Sequence, residues 1–247
     1  MGVNKKPSNI EKKEIAPKSL SSIYEGISTI LENLDKISDI EKKPDKSIEE
    51  KTDEADSKGK DKSNKEKKVK SKEEELSKKW DEMNVEIKKI HDQWNSFETE
   101  GMKKVTIGSD TNKVKDSINN LTLAVENKDN FSIIDNGSQL LMNIAPFFDA
   151  YKDELRGDIC NIKYYIYQSF LMGEKGELEK ASNIIPNVDI QLNDLNSKIV
   201  KDPKKMKALE KLSLSIKDFE NVLNKNSNNL LTIKRDIVLK NIKELEK

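Results

Sequence analysis

The segment Ile159–Leu171, ICNIKYYIYQSFL, decides how the chain folds. Placed on a helix, Ile159, Ile162, Ile166 and Phe170 form one apolar stripe, and Cys160, Tyr164, Tyr167 and Leu171 form a second beside it. One neighbouring helix shields one stripe, so an arc this wide requires several neighbours. The segment is therefore expected to be the central strut of a helical bundle.

The flanking sequence supplies those neighbours. Upstream, Leu76, Trp80, Met83, Ile87, Ile90, Trp94 and Phe97 alternate steps of four and three, which predicts a long helix opened by a Ser71–Glu74 capping box. Gly101 and Gly108 frame the loop that follows. Val114, Ile118, Leu121 and Val125 predict a second helix from Asp110 to Glu126. Asp129 then caps a third, with Ile134, Gly137, Leu141, Ile144, Phe148, Tyr151 and Leu155 as its seam. Asp135-Asn136-Gly137 alone reads as a turn, but Gly137 falls on the seam, so close backbone approach inside a helix is preferred. Pro146 is expected to kink this helix.

Downstream, Gly173 and Gly176 end the strut. Leu178, Ala181, Ile185, Val188, Leu192, Leu195 and Ile199 line the next helix, with Pro186 a second expected kink. Asp202-Pro203 is a strong helix start, followed by Leu209, Leu212, Ile216, Phe219 and Leu223. A last helix, Leu230 to Leu245, carries Ile233, Ile237, Val238, Ile242 and Leu245. No segment alternates with a period of two. The fold class is all-α, an antiparallel up-and-down helical bundle over residues 76–247 with a disordered charged N-terminal tether.

That tether divides in three. Residues 1–17 are polar and read as a disordered leader. Residues 18–40 read as an isolated amphipathic helix, its seam Leu20, Ile23, Ile27, Ile30, Leu34 and Ile37 and its cap Ser19. A helix of about 20 residues is marginal alone in water. Docking on the bundle, pairing with a second copy and partial disorder are all open to it. Residues 41–75 form a disordered charged linker, with too little apolar surface to offset about 1 to 2 kcal/mol of backbone entropy per residue.

Composition narrows function by exclusion. The 45 basic and 45 acidic residues cancel, leaving no net field to steer nucleic acid or an anionic membrane. Only Arg156 and Arg235 are arginine, so the forked donor that grips phosphates is nearly absent. No apolar run is long enough to span a bilayer. Cys160 reads as a small buried hydrophobe. His91, the single histidine, lies at the edge of a helix seam with no partner signature for nucleophilic catalysis or a metal. The expectation is no enzyme, no catalytic residues, no metal and no cofactor. Trp80 and Trp94 lie on a seam and read as core.

Two contact readings remain. Asp158, Asn161, Tyr165 and Gln168 share a polar face of the strut, which puts the Tyr165 ring toward solvent or a shallow groove, as an ordinary surface aromatic or as a partner anchor. Alternatively, Tyr164, Tyr167 and Phe148 line a pocket where Pro146 and Pro186 draw helices apart.

The sequences LTLAVENKD (121–129), IAPFFDAYKDEL (144–155), IKYYIYQSFLMGE (162–174) and IVLKNIKELEK (237–247) resemble a family of uncharacterised extracytoplasmic lipoproteins from clostridia and other Gram-positive bacteria. The resemblance covers about two thirds of the chain, from Trp94 onward. A weaker likeness, in architecture and composition, is to the helical outer-surface lipoproteins of Borrelia, some of which bind host proteins. The first resemblance implies a helical domain held outside the membrane by a lipidated cysteine. In this chain Met1-Gly2 stands in that cysteine's place, and Lys6 occupies the Ser or Thr position of a myristoylation signal.

The expected function is a non-enzymatic cell-envelope domain, lipoprotein-like, acting on an unknown protein or cell-wall component. The alternatives are a small-ligand-binding bundle and a surface protein that binds a host partner and self-associates through the 18–40 helix. The expected location is extracytoplasmic, at the cell surface, or the cytoplasm if Met1 is the true start.

Overall fold

The computed structural model describes residues 15–44, 71–100, 110–151, 155–225 and 227–247. These form eight helices: α1 (Lys18–Lys42), α2 (Lys72–Glu100), α3 (Thr111–Glu126), α4 (Asn130–Asp149), α5 (Arg156–Glu174), α6 (Leu178–Ile199), α7 (Pro203–Leu223) and α8 (Asn228–Leu245). Among the described residues there is no strand, and no helix is long and apolar enough to cross a membrane. The fold is all-α.

Local chemistry sets most of the helix starts. Asp110 accepts from the Asn112 and Lys113 amides, Asp129 from Ser132, and Asp202 from Lys204 and Lys205, with Pro203 opening α7. The Ser71–Glu74 capping box is reciprocal: Glu74 N donates to Ser71 Oγ at 3.2 Å, and Ser71 N donates to Glu74 Oε2 at 3.3 Å. After α5, Gly176 takes φ +76 and its amide returns to the Gly173 carbonyl, which turns the chain into α6.

Every helix packs on its sequence neighbour, and two further contacts close the arrangement: α1 on α4, and α5 on α8. The result is two four-helix rings, α1–α4 and α5–α8, fused where α4 packs on α5. Neighbours run antiparallel. Thus Lys72 at the start of α2 donates to the Glu41 and Lys43 carbonyls at the end of α1, and Lys211 of α7 pairs with Glu244 of α8 at 2.6 Å. One continuous apolar core runs through both rings. In it Trp94, Phe97 and Phe147 meet with ring centroids 5.5–5.6 Å apart. The strut reading of Ile159–Leu171 holds: α5 contacts α4, α6 and α8.

Four expectations are corrected. The helix at 18–40 is not isolated: α1 extends to Lys42 and buries Leu20, Ile23, Ile27, Ile30 and Ile37 completely against α2 and α4. The seam proposed for self-association is thus covered from within the chain. Its expected cap, Ser19, lies inside the helix, and Pro17 holds the cap position without a side-chain bond. The third bundle helix stops at Asp149, so Tyr151 and Leu155 belong to the connection. The last helix is turned about its axis, leaving Ile233 and Ile237 46% and 41% exposed while Leu231, Arg235, Val238 and Asn241 face inward.

The 1–17 leader and the 41–75 linker lie mostly outside the described residues, as does the Gly101–Gly108 loop. Of the linker's described ends, Glu41–Lys42 finish α1 and Lys72–Glu75 begin α2, and the Lys72 ammonium ties the two helix termini together. Gly137 lies inside α4 rather than at a turn, and what packs close to it is the Leu31 side chain and not backbone: an added Cβ would stand 3.1 Å from Leu31 Cδ2.

Candidate functional site

The two rings leave a groove where α1 faces α8 across α5. Side chains rather than backbone packing bridge it: the Tyr24 hydroxyl donates to Glu246, Lys243 pairs with Glu32 at 2.6 Å, and Arg235 with Asp35 at 2.6 Å. Three cavities follow the groove. The first, about 320 Å³, is lined by Tyr24, Glu25, Arg156, Lys205 and Glu246 among others. A central one of about 200 Å³ holds Leu31, Glu32, Lys163, Tyr167, Leu239 and Lys243. The third, about 340 Å³, includes Ser38, Lys42, Phe170, Glu174, Asn228 and Arg235.

Two buried cations of opposite construction anchor the groove. Lys163, 5% exposed, projects from the middle of the apolar arc of α5. Its ammonium donates to the Tyr24 hydroxyl and, at 3.4 Å, to Ser28 Oγ, and lies 3.7 Å from Glu246 Oε1. The Tyr24 hydroxyl passes its own proton toward Glu246, so the three groups form one chain of donors. Burial pushes the Lys163 ammonium down, against the opposing pull of Glu246. Burial, with Glu246 adding to it, pushes the Tyr24 phenol well up. The Cys160 thiol, one turn before Lys163, is fully buried and pushed strongly up for the same reason.

Arg235, 4% exposed, lies over the Phe170 ring at 4.3 Å and reaches both Asp35, at 2.6 Å, and Asp236, at 2.7 Å. Burial raises Asp35 to about 6 although Arg235 opposes it, and Asp236 adds to the rise. Burial acts to lower Arg235, and the two carboxylates more than offset it. The guanidinium stays charged; Asp35 is the group that titrates.

The residues singled out from sequence do not converge. Phe148 is fully buried and meets the Tyr24 ring edge-on at 6.2 Å. Tyr164 is half-buried and packs on Tyr165, centroids 5.2 Å apart. Tyr167 is buried and lines the central groove cavity. The expected pocket of Tyr164, Tyr167 and Phe148 is therefore replaced by three separate surroundings. Pro146 and Pro186 sit inside α4 and α6, and both helices still pack on α5.

Tyr165 is half-buried, packed beside Tyr164 at the edge of the core. Its polar face is engaged: Asp158 pairs with Lys198 at 2.6 Å, Asn161 donates to Gln191, and Gln168 donates to Asp135 and Ser138. His91 Nε2 stands 3.0 Å from Thr122 Oγ1, whose proton goes to the Ile118 carbonyl. Sequence reading passed over Lys163, Tyr24, Glu246 and Arg235. The signal was present, since Lys163 and Arg235 each fall inside an apolar arc on the helical wheel.

No protein family, curated protein or solved structure matches this chain.

Proposed function

We propose that the chain is a non-enzymatic, lipoprotein-like domain of the cell envelope that acts by contact with another protein or a cell-wall component. The supporting observation is the groove between α1 and α8. It runs from Tyr24 to Lys42 along α1, about 27 Å at 1.5 Å per residue, with three cavities on its course. Such a trough suits an extended occupant, with the half-buried Leu155 and Leu239 for apolar contact and charged side chains along its course for register. The extracytoplasmic location draws on the resemblance of residues 121–174 and 237–247 to Gram-positive lipoproteins.

The test is sedimentation with purified Gram-positive cell walls, before and after protease treatment, comparing the native chain with Ser38→Trp. Ser38 is half-buried in the third cavity, so the indole fills the trough from its side. The native chain is expected to co-sediment and the variant to lose binding at least tenfold. Equal binding by both, or by neither, counts against the proposal. Loss of binding on protease treatment assigns the contact to protein.

A small-ligand reading has one observation of its own, the central cavity of about 200 Å³ over Lys163 and Tyr167.

A further inference from the structure

Lys163 is the only buried lysine among the described residues, and it is not sealed in: it lines the central cavity together with Leu31, Tyr167 and Leu239. Tyr24 and Glu246 open on the adjoining cavity instead. The chain Lys163–Tyr24–Glu246 thus links two cavities through one phenol. A proton passed from the ammonium to Tyr24, with Tyr24's own proton passed by way of Glu246 to solvent, leaves a neutral amine. Loss of the proton relieves the cost of burying the Lys163 ammonium.

We propose that Lys163 is an amine nucleophile that captures a small aldehyde or ketone in the central cavity as an imine. The Nζ lone pair forms the new bond to the carbonyl carbon, and the carbonyl π pair moves to oxygen, giving a carbinolamine. The C–O bond then breaks, and oxygen leaves as water with both protons of the neutral amine. The ammonium's third proton leaves along the Tyr24–Glu246 path to solvent, and the Tyr24 hydroxyl then lends its proton to the departing hydroxyl and receives one back from nitrogen. Nothing is oxidised or reduced.

The cavity limits the carbonyl compound's size, being smaller than the roughly 300 Å³ at which pockets for drug-sized ligands begin. Leu31 and Leu239 favour a short apolar body, and Glu32, Asp35 and Asp236, which line the cavity beside Lys240 and Lys243, disfavour a carboxylate on it. The site requires the cavity and the proton chain, and does not depend on the contact role proposed above.

The full chain is treated with propionaldehyde and cyanoborohydride, and alkylated lysines are located by peptide mass mapping. At pH 7 Lys163 is expected to be labelled at least tenfold faster than the exposed lysines. Between pH 7 and 9 that preference should fall by about tenfold per unit as the exposed amines deprotonate. Labelling of Lys163 no faster than the others, or a preference independent of pH, overturns the proposal; neither readout needs a variant. Tyr24→Phe keeps the ring and breaks the proton chain, so its preference should drop to that of a surface lysine with an unchanged circular dichroism spectrum. A retained preference in that variant refutes the relay.

Discussion

Replacing Arg235 with Met tests the groove's electrostatics. The guanidinium is 4% exposed and is held at 2.6 Å by Asp35 of α1. Met keeps much of the apolar stem against Phe170 but leaves Asp35 with no counter-charge. Breaking a buried pair typically costs about 3 to 5 kcal/mol. Because Asp35 is one third exposed, water recovers part of this, and about 3 kcal/mol is expected at pH 8.

The cost should depend on pH, and the sign follows from Asp35. In the native protein its pKa is about 6, against 3.8 ordinarily, so the folded state holds the proton more tightly. The group's contribution is therefore fully present at low pH and is lost as pH rises from about 4 to about 6, by about 1 to 2 kcal/mol after screening. Without Arg235 the carboxyl rises further and is neutral at pH 5, where the variant should lose only about 1 kcal/mol through packing. Urea unfolding of native and variant chains at pH 5 and pH 8 reads both numbers. A loss under about 1 kcal/mol at pH 8, or equal losses at the two pH values, refutes the reasoning.

Two further outcomes follow from packing. Gly173→Ala places a methyl 2.8 Å from Leu231 Cδ2 where α5 meets α8, and is expected to lower stability by about 1 to 3 kcal/mol, read from the urea midpoint. The Cys160 thiol, wholly buried and pushed up by burial, should resist a thiol reagent at pH 8 until the chain is unfolded; immediate reaction would show that the core around α5 opens.

Much of the fold was readable because its signals are local. Asp202-Pro203, Asp129 and the Ser71–Glu74 pair set helix starts through bonds within four residues, and they fall where the sequence places them. The docking of α1 was not readable. Its seam shows a need for a partner, but the partner surface is assembled by α2 and α4 from positions far along the chain. The groove escaped for a related reason. Lys163 and Arg235 break the rule that charges face water, and the partners that make this tolerable, Tyr24, Glu246 and Asp35, lie about 80 to 200 residues away in sequence. Orientation of α8 failed likewise: Ile233 and Ile237 make an apolar pair, yet the face holding Arg235 is the one turned inward.

Native-state hydrogen exchange tests the central claim, that α1 is a wall of the core and one side of the groove. Amides of Ile23 to Ile37 are expected to open with about the same free energy as those of Ile162 to Phe170, since both segments share one core. Exchange of the α1 amides at the rate of an unstructured chain, with α5 still protected, would contradict the account.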